Sequence, residues 1–368
     1  MNLSIRKVVG LTVLVALLAF ASIAVAQESS EGYSVVDSTG RTVEFTKVPE
    51  RTLSIGHGAL KLYAYIAGSD RLVGIEGTEK TGHTVTGQSI HYAYPELREL
   101  ETIGKGGSKF EPDYELLKFA EPDVIFVAYS QSADELDELQ KTLDIPVVGI
   151  DAGMRGDIFG KKTYQTFEII GKVLKLEDRA EEVNTFIRET EKDLQSRAGS
   201  IEESPRMYLG GCSFRGEQGI LSTKTHLDLL RTVNAFNVMD ELTDERSVMI
   251  DKEKLLDLDP EMIILDLSGK TLLDEDMAAD PDFYRSLSAF KNKNAHYIMP
   301  YFTYGMNYDT AILNMYFIGS LAHPENFADI DLKEKAAEIY TLFVGKDVYA
   351  DLLKTYPESF TTSTFANE

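Results

Sequence analysis

The run Val124-Ile125-Phe126-Val127-Ala128 constrains the fold of this chain most, because five apolar residues follow one another without a polar interruption. A strand that is apolar on both faces is typical of a parallel sheet with helices packed on each side. Other short hydrophobic runs alternate with helical patterns along the chain. The predicted strands are 51–55, 71–75, 123–128, 146–150, 207–209, 262–266 and 296–299. This alternation predicts an α/β fold with doubly wound sheets.

An internal repeat indicates that the fold has two related halves. Glu115 stands seven residues before Pro122, and Glu253 stands seven residues before Pro260. In both places a short helical pattern separates the glutamate from the proline, and a hydrophobic strand follows. A chain of 368 residues is also long for a single hydrophobic core. We therefore expect two α/β lobes, each with a glutamate at an equivalent position.

The segment 157–199 contains no proline and carries apolar residues at steps of three and four, which predicts one face of a single long helix. At about 1.5 Å per residue such a helix would reach roughly 60 Å, longer than a small domain is wide. We expect it to join an N-terminal lobe, residues 27–156, to a C-terminal lobe, residues 200–368. The alternative is two ordinary helices broken near Gly171.

The first residues predict export. Arg6 and Lys7 precede the apolar run 8–26, which ends in the small-residue pattern Ala24-Val25-Ala26. This arrangement is typical of a secretory signal peptide over residues 1–26. The protein is then expected in the periplasm or at the outer face of the cytoplasmic membrane. An uncleaved anchor is the alternative, because the 19 residues of the run nearly span a bilayer core.

Composition and missing motifs exclude several classes of function. The net charge of −23 disfavours binding to nucleic acid. The single cysteine, Cys212, excludes internal disulfides and cysteine-rich metal sites. The chain has no nucleophile elbow, zinc-binding helix motif or dinucleotide-binding glycine motif, so we expect neither an enzyme nor a resident cofactor or metal centre. An α/β hydrolase with dispersed catalytic residues is a remote alternative.

Candidate ligand-binding residues follow the predicted strands, because open α/β sheets bind ligands beyond the carboxyl ends of their strands. Tyrosines there would offer flat apolar faces and hydroxyls to a large, partly polar ligand, and an arginine would pair with an anionic group. The alternatives are aromatic packing, surface ion pairs and a loop histidine bonded to the backbone. The candidates are His57, Tyr129, Arg215, Tyr301 and Tyr304.

A metal site is a weaker hypothesis. His83 and His91 lie eight residues apart in a polar loop that also contains Glu76 and Glu79. Eight residues of loop do not fix the geometry that a metal ion requires.

An ordered series of short motifs resembles the periplasmic binding proteins for iron-siderophores, haem and cobalamin, over residues 37–316. The motifs are Asp37-x-x-Gly40-Arg41-x-Val43, Pro49-x-Arg51, Ala67-Gly-Ser-Asp-Arg71-Leu-Val-Gly74, Ile103-Gly104, Glu115, Pro122-Asp123 and Phe290-Lys-Asn-x-Asn294-Ala-x-Tyr297. The resemblance implies two α/β lobes joined by one long helix, a ligand crevice between them and only slight hinge movement.

The resemblance also implies a role for the two glutamates of the repeat. In that family a glutamate on each lobe docks onto arginines of the membrane permease, and the matching positions are Glu115 and Glu253. Two separate negative points would orient the protein on a positively charged partner and speed the encounter. The alternative is a pair of solvated carboxylates that interact favourably with the helix dipole.

The cargo expected from the resemblance is an iron(III)-siderophore-like metal chelate. Cobalamin, haem, a bare metal ion and an oxyanion are the alternatives. The chain has no tryptophan, which cobalamin binders of the family often use, and few arginines to hold a trihydroxamate or catecholate chelate. The expected partners are the permease subunits of an ABC importer and the small-molecule chelate, and the protein is expected to be a monomer.

Overall fold

The structure is a computed structural model that describes residues 32–56, 58–80, 87–107, 109, 111–129, 131–151, 157–213, 216–302 and 305–365. Its strands are β1 Tyr33–Val36, β2 Thr42–Phe45, β3 Thr52–Ile55, β4 Val124–Val127, β5 Val147–Gly149, β6 Arg206–Gly210, β7 Ser222–Lys224, β8 Phe236–Asn237, β9 Ser247–Met249, β10 Met262–Asp266 and β11 Ala295–Ile298. Its α-helices are α1 Ala59–Ala67, α2 Ile90–Ala93, α3 Tyr114–Phe119, α4 Ala133–Leu143, α5 Lys161–Leu174, α6 Glu177–Arg197, α7 Asp228–Arg231, α8 Lys252–Leu258, α9 Lys270–Ala279, α10 Pro281–Ser286, α11 Ser288–Lys291, α12 Tyr308–Ala322, α13 Leu332–Val344 and α14 Tyr349–Thr355.

The N-terminal lobe is built on a parallel sheet in the order β3-β4-β5. The central strand β4 is buried along its whole length, as its continuous apolar run predicts. Parallel bridges from Thr52 to Leu72 and from Ile75 to Thr102 extend the sheet beyond β3. The predicted strand 71–75 therefore contributes isolated bridges rather than a full strand.

The C-terminal lobe repeats this plan with a parallel sheet in the order β11-β10-β6-β8. The end of the chain covers the edge of β11: Tyr297 N donates to Thr361 O at 2.9 Å, and His296 forms an antiparallel bridge with Thr362. Pairing the edge strand removes a row of free backbone groups. The two parallel sheets and their helices confirm the predicted α/β fold class.

The prediction of one continuous helix across 157–199 is wrong, and the alternative of two helices is correct. Helix α5 ends at Leu174, the residue that follows it, Lys175, has a φ of 56°, and α6 begins at Glu177. The two helices fold back on each other, since Asn184 Nδ2 donates to Tyr164 O at 3.2 Å. A Cβ on Gly171 would lie 2.7 Å from Ala180 Cβ, so glycine permits the close approach of the helices. Packing of both apolar faces into the core therefore overrides the continuous periodicity.

Of these two helices, α6 is the one that runs from the N-terminal lobe to the C-terminal lobe. It is about 31 Å long at 1.5 Å per residue. Near its start, Arg179 Nε donates to Tyr65 O of α1 at 3.2 Å. At its end, Arg197 pairs with Asp329 at 2.6 Å, and the chain continues towards β6. The linking helix of this fold is thus about half the length expected from the sequence.

One continuous hydrophobic core joins the lobes. It includes Phe126 of β4 in the N-terminal lobe, Leu209 of β6 in the C-terminal lobe, and Ile312 and Tyr340 of the helices α12 and α13. Smaller clusters cover the outer face of each sheet. A shared core favours a fixed arrangement of the lobes, because separating them would expose apolar surface.

No helix among the described residues is both long and apolar enough to cross a membrane. The predicted signal peptide, residues 1–26, lies outside the described residues.

Candidate functional site

The carboxyl edges of the two sheets, meaning the residues that follow their strands, face each other. Lys61 of α1, just after β3, donates through Nζ to Gly305 O at 3.0 Å and to Asn307 Oδ1 at 2.7 Å, just after β11. Gly87 N donates to Tyr356 Oη at 3.0 Å across the same junction. A ligand beyond the strands of one sheet would therefore also meet the other lobe.

On the N-terminal lobe, Glu76 organises the carboxyl edge. Gly56 N donates to Glu76 Oε2 at 2.8 Å, and Tyr129 Oη donates to Glu76 Oε1 at 3.2 Å. Glu76 is only 8% exposed, and this burial raises the pKa of Glu76 to about 7. A buried carboxyl group with a raised pKa therefore lies at the edge where a ligand is expected.

Tyr129, one of the predicted site residues, lies at this edge and is half-buried. Its hydroxyl also contacts Gly107 O at 3.3 Å, and burial raises the pKa of Tyr129. A Cβ on Gly56, where φ is 101°, would lie 2.8 Å from the Tyr129 ring. Only glycine at position 56 lets the ring sit against the strand end.

Tyr301, a second predicted site residue, is packed as a core side chain and is 1% exposed. Its ring meets the edge of the Phe302 ring at 6.2 Å between centroids, and its hydroxyl has no hydrogen-bond partner among the described residues. The next residue, Phe302, is half-buried, with Lys224 Nζ 4.7 Å above its ring. Phe302 therefore lies at the C-terminal edge with the largely buried Lys224 beside it, and ligand contact by Tyr301 stays a prediction.

The remaining candidates, His57, Arg215 and Tyr304, lie outside the described residues. Their roles in ligand binding stay predictions that rest on their positions after predicted strands.

Sequence reasoning missed the importance of Glu76 and Lys61, although both carry a signal. Glu76 directly follows the predicted strand 71–75. Ligands bind beyond the carboxyl ends of such strands, so the reason for choosing His57 applies equally to Glu76. Lys61 is the only charged residue in the apolar helix α1, and a charge in such a helix requires a buried partner.

A buried polar network fixes the junction between the lobes. Asp309 at the start of α12 accepts hydrogen bonds from Tyr65 Oη, at 3.1 Å, and from Ser89 Oγ. Burial lowers the pKa of Lys61 to about 8 and raises the pKa of Asp309. Lys61 and Asp309 each have hydrogen-bond partners from the other lobe, so polar contacts as well as the shared core fix the arrangement of the lobes.

The described residues contain no group of three or more His, Cys, Asp or Glu side chains arranged to hold a metal ion. The pair His91 and Glu79 is buried, with Nε2 and Oε2 3.6 Å apart. Two donors do not complete a metal site.

A family model described as periplasmic binding protein matches residues 64–301, more than half of the chain. The chain belongs to the periplasmic binding protein family. Members are extracytoplasmic solute-binding proteins that bind small ligands and work with the permeases of ABC transporters, and the family is one of transport proteins rather than an enzyme class. The resemblance noted in the sequence is thereby confirmed.

Solved structures of periplasmic binding proteins share the fold. A periplasmic solute binding protein from Veillonella parvula has a TM-score of 0.70 at 20% identity, covering 88% of this chain and 96% of its own. MolA from Haemophilus influenzae, bound to molybdate, has a TM-score of 0.66 at 19% identity, covering 85% and 98%. CeuE from Helicobacter pylori, with Ni(II) bound, has a TM-score of 0.60 at 18% identity, covering 88% and 99%. At these identities the likeness concerns the fold alone.

The search of curated proteins found no match to this periplasmic binding protein.

The two glutamates of the sequence repeat occupy equivalent local structures in this periplasmic binding protein. Asp113 caps α3 by accepting from Leu116 N at 3.0 Å, and Asp251 caps α8 by accepting from Lys254 N at 2.7 Å. Glu115 and Glu253 are each the second residue of their helix, and both are exposed. The repeat is therefore a capped helix start that presents a carboxylate to solvent.

Proposed function

We propose that this protein captures an iron(III)-siderophore-like metal chelate between its two lobes and delivers it to the permease of an ABC importer. The observation that carries the proposal is that the carboxyl edges of both sheets face each other, in a chain of the periplasmic binding protein family. Each edge offers an aromatic side chain, Tyr129 on one lobe and Phe302 on the other. Aromatic faces combined with a few polar groups suit a large, partly polar ligand.

The charges at the two edges support a chelate over a small anion. A ligand between the lobes would come close to the largely buried carboxyl group of Glu76 on one side. On the other side it would come close to the largely buried ammonium group of Lys224, which donates to Ser247 Oγ at 3.1 Å. A chelate can place different groups towards each, whereas a bare oxyanion would face repulsion from an ionised Glu76. MolA binds molybdate, however, and the Lys224 ammonium above Phe302 would attract an anion. An oxyanion is therefore the second candidate.

Delivery would use the two docking helices, α3 and α8. Their glutamates, Glu115 and Glu253, project one negative charge from each lobe towards solvent. Arginines on a permease could pair with both at once, which would fix the orientation of the loaded protein. We further propose that residues 1–26 are a signal peptide and that the exported protein begins at Gln27.

Thermal melting against a panel of compounds tests the cargo. The panel would hold ferric hydroxamate and catecholate siderophores, haem, corrinoids, molybdate, Zn²⁺ and Mn²⁺. A ligand that binds only the folded protein, at about 100 times its dissociation constant, adds roughly 2.7 kcal/mol to the free energy of unfolding. We expect a rise in melting temperature with a ferric chelate. A rise only with molybdate or a bare metal ion would contradict the proposed cargo.

A matched pair of variants then places the ligand. Tyr129→Ala should reduce the ligand-dependent rise, because Tyr129 lies at the carboxyl edge. Tyr114→Ala is the control, since Tyr114 is an exposed tyrosine on the docking helix α3. Equal responses of the two variants would argue against a site between the lobes.

A further inference from the structure

Exposed apolar side chains are concentrated beside the two glutamates. Among the described residues eight large apolar side chains are exposed, and five of these lie within four positions of Glu115 or Glu253 in the sequence. The five are Tyr114 (42% exposed), Leu116 (38%), Phe119 (82%), Met249 (50%) and Leu256 (39%). Single exposed apolar residues are ordinary, but a concentration of them marks an interaction surface.

Helix geometry places an apolar side chain next to each carboxylate. Phe119 lies four residues after Glu115 on α3, and Leu256 lies three residues after Glu253 on α8. Residues three or four apart are neighbours on one face of a helix. The inward faces are occupied by other residues, Leu117 at 1% and Leu255 at 0% exposure. Each docking helix therefore presents a carboxylate and an apolar side chain together to solvent.

We propose that Phe119 and Leu256 are apolar anchors that seat the two docking helices in pockets of the permease, beside the basic groups that pair with Glu115 and Glu253. This inference rests on the proposed function. The partner is a surface with an apolar pocket next to a cation at each of two points. A net charge of −23 repels a second copy of this chain and anionic lipid, which leaves a basic protein surface as the occupant.

The two anchors differ in strength. Phe119 is an aromatic side chain with 82% of its surface exposed, whereas Leu256 is 39% exposed. Large aromatic side chains contribute most of the binding energy at protein interfaces when a partner buries them. We therefore expect Phe119 on the N-terminal lobe to contribute more to docking than Leu256 on the C-terminal lobe.

Site-specific photo-crosslinking in the host that makes the protein is the first test. A photoreactive amino acid would replace Phe119 or Leu256 in the full-length protein, and Val36 on β1, which is 59% exposed, is the control position. We expect positions 119 and 256, but not position 36, to crosslink to subunits of an ABC permease identified by mass spectrometry. Crosslinks to a second copy of this chain, or none to a permease, would overturn the proposal.

Affinity for that permease in nanodiscs, measured at low and high salt, separates the anchors from the charges. Phe119→Ala should weaken binding about 10-fold to 100-fold at both salt concentrations, because burial of an apolar side chain is not screened. Leu256→Ala should weaken it only several-fold. The effect of Glu115→Arg with Glu253→Arg should shrink as salt rises. Val36→Ala is the control, and an unchanged melting temperature verifies that each variant folds.

The outcomes distinguish this inference from the proposed function. If the two charge reversals weaken docking and Phe119→Ala does not, the anchors are wrong and docking through the glutamates stands. If neither set of variants changes binding, both proposals fail.

Discussion

The junction between the lobes and the two docking helices use charged residues in opposite ways. At the junction, Lys61 is 1% exposed and is bonded to Gly305 and Asn307 of the other lobe. On the docking helices, Glu115 and Glu253 are exposed to water. A buried charge depends on protein partners, so its removal should damage folding. An exposed charge is solvated by water, so its removal should leave folding intact and affect only binding to a partner protein.

The largest effect on folding is expected from Lys61→Met. The substitution keeps the apolar stem but leaves the acceptors Gly305 O and Asn307 Oδ1 without their donor, and unsatisfied buried groups cost about 1 to 3 kcal/mol each. We expect a loss of about 3 kcal/mol in the free energy of unfolding, measured by urea denaturation.

Lys47→Met is the matched control for this loss, because Lys47 is an exposed lysine that pairs with Asp123 at 2.9 Å. Its midpoint of denaturation should match the wild type. A similar loss in the free energy of unfolding of both variants would mean that the buried lysine of the junction is no more important for folding than an exposed lysine.

Glu76→Gln should produce a pH-dependent effect of similar or smaller size. Burial raises the pKa of Glu76 from 4.5 to about 7, so the folded protein holds this proton more tightly than the unfolded chain. The stabilising contribution is then fully present below about pH 4.5 and is lost as the pH rises through about 7, by about 3 kcal/mol in total. Glu76→Gln should remove this part of the pH dependence, measured by urea denaturation at several pH values.

The exposed Glu115→Gln is the control for the pH experiment. Both variants are measured across the same pH range, and only Glu76→Gln is expected to lose the pH dependence described above. A stability difference between Glu76→Gln and wild type that does not change with pH would mean that Glu76 is hydrated like a surface carboxylate.

A smaller effect is expected from the caps of the docking helices. Asp113→Ala and Asp251→Ala each remove a side chain that accepts from the first turn of its helix. Loss of such a cap costs about 1 kcal/mol in stability. Asp113→Asn and Asp251→Asn each retain an acceptor oxygen and should recover most of the lost stability. Failure of asparagine to do so would assign the cost to charge rather than to capping.

The sequence predicted the elements whose cause is local. The apolar run at β4 indicated a buried parallel strand, and the repeat of Glu115 and Glu253 indicated two short helices in equivalent places. Both follow from periodicity and from residue types that act within a few positions. The ordered motifs identified the family for the same reason, because they mark short turns and strand ends.

The features that the sequence did not predict depend on contacts between distant residues. The break at Lys175 follows from the packing of α5 against α6, with Gly171 and Ala180 in close contact. The burial of Tyr301 follows from a core shared by both lobes. The position of Tyr301 after a strand was predicted from the sequence, whereas its burial and the half-buried position of the neighbouring Phe302 depend on tertiary packing.

Transport of the solute identified by thermal melting tests the central claim most directly. Cells whose only copy of this protein carries Glu115→Arg and Glu253→Arg would be compared with wild type, and the purified variant would be titrated with the same solute. We predict unchanged melting temperature and ligand affinity, with uptake reduced to background, because both glutamates are exposed and lie on the docking helices. Uptake at the wild-type rate would contradict the account of a two-lobed carrier that docks through these carboxylates.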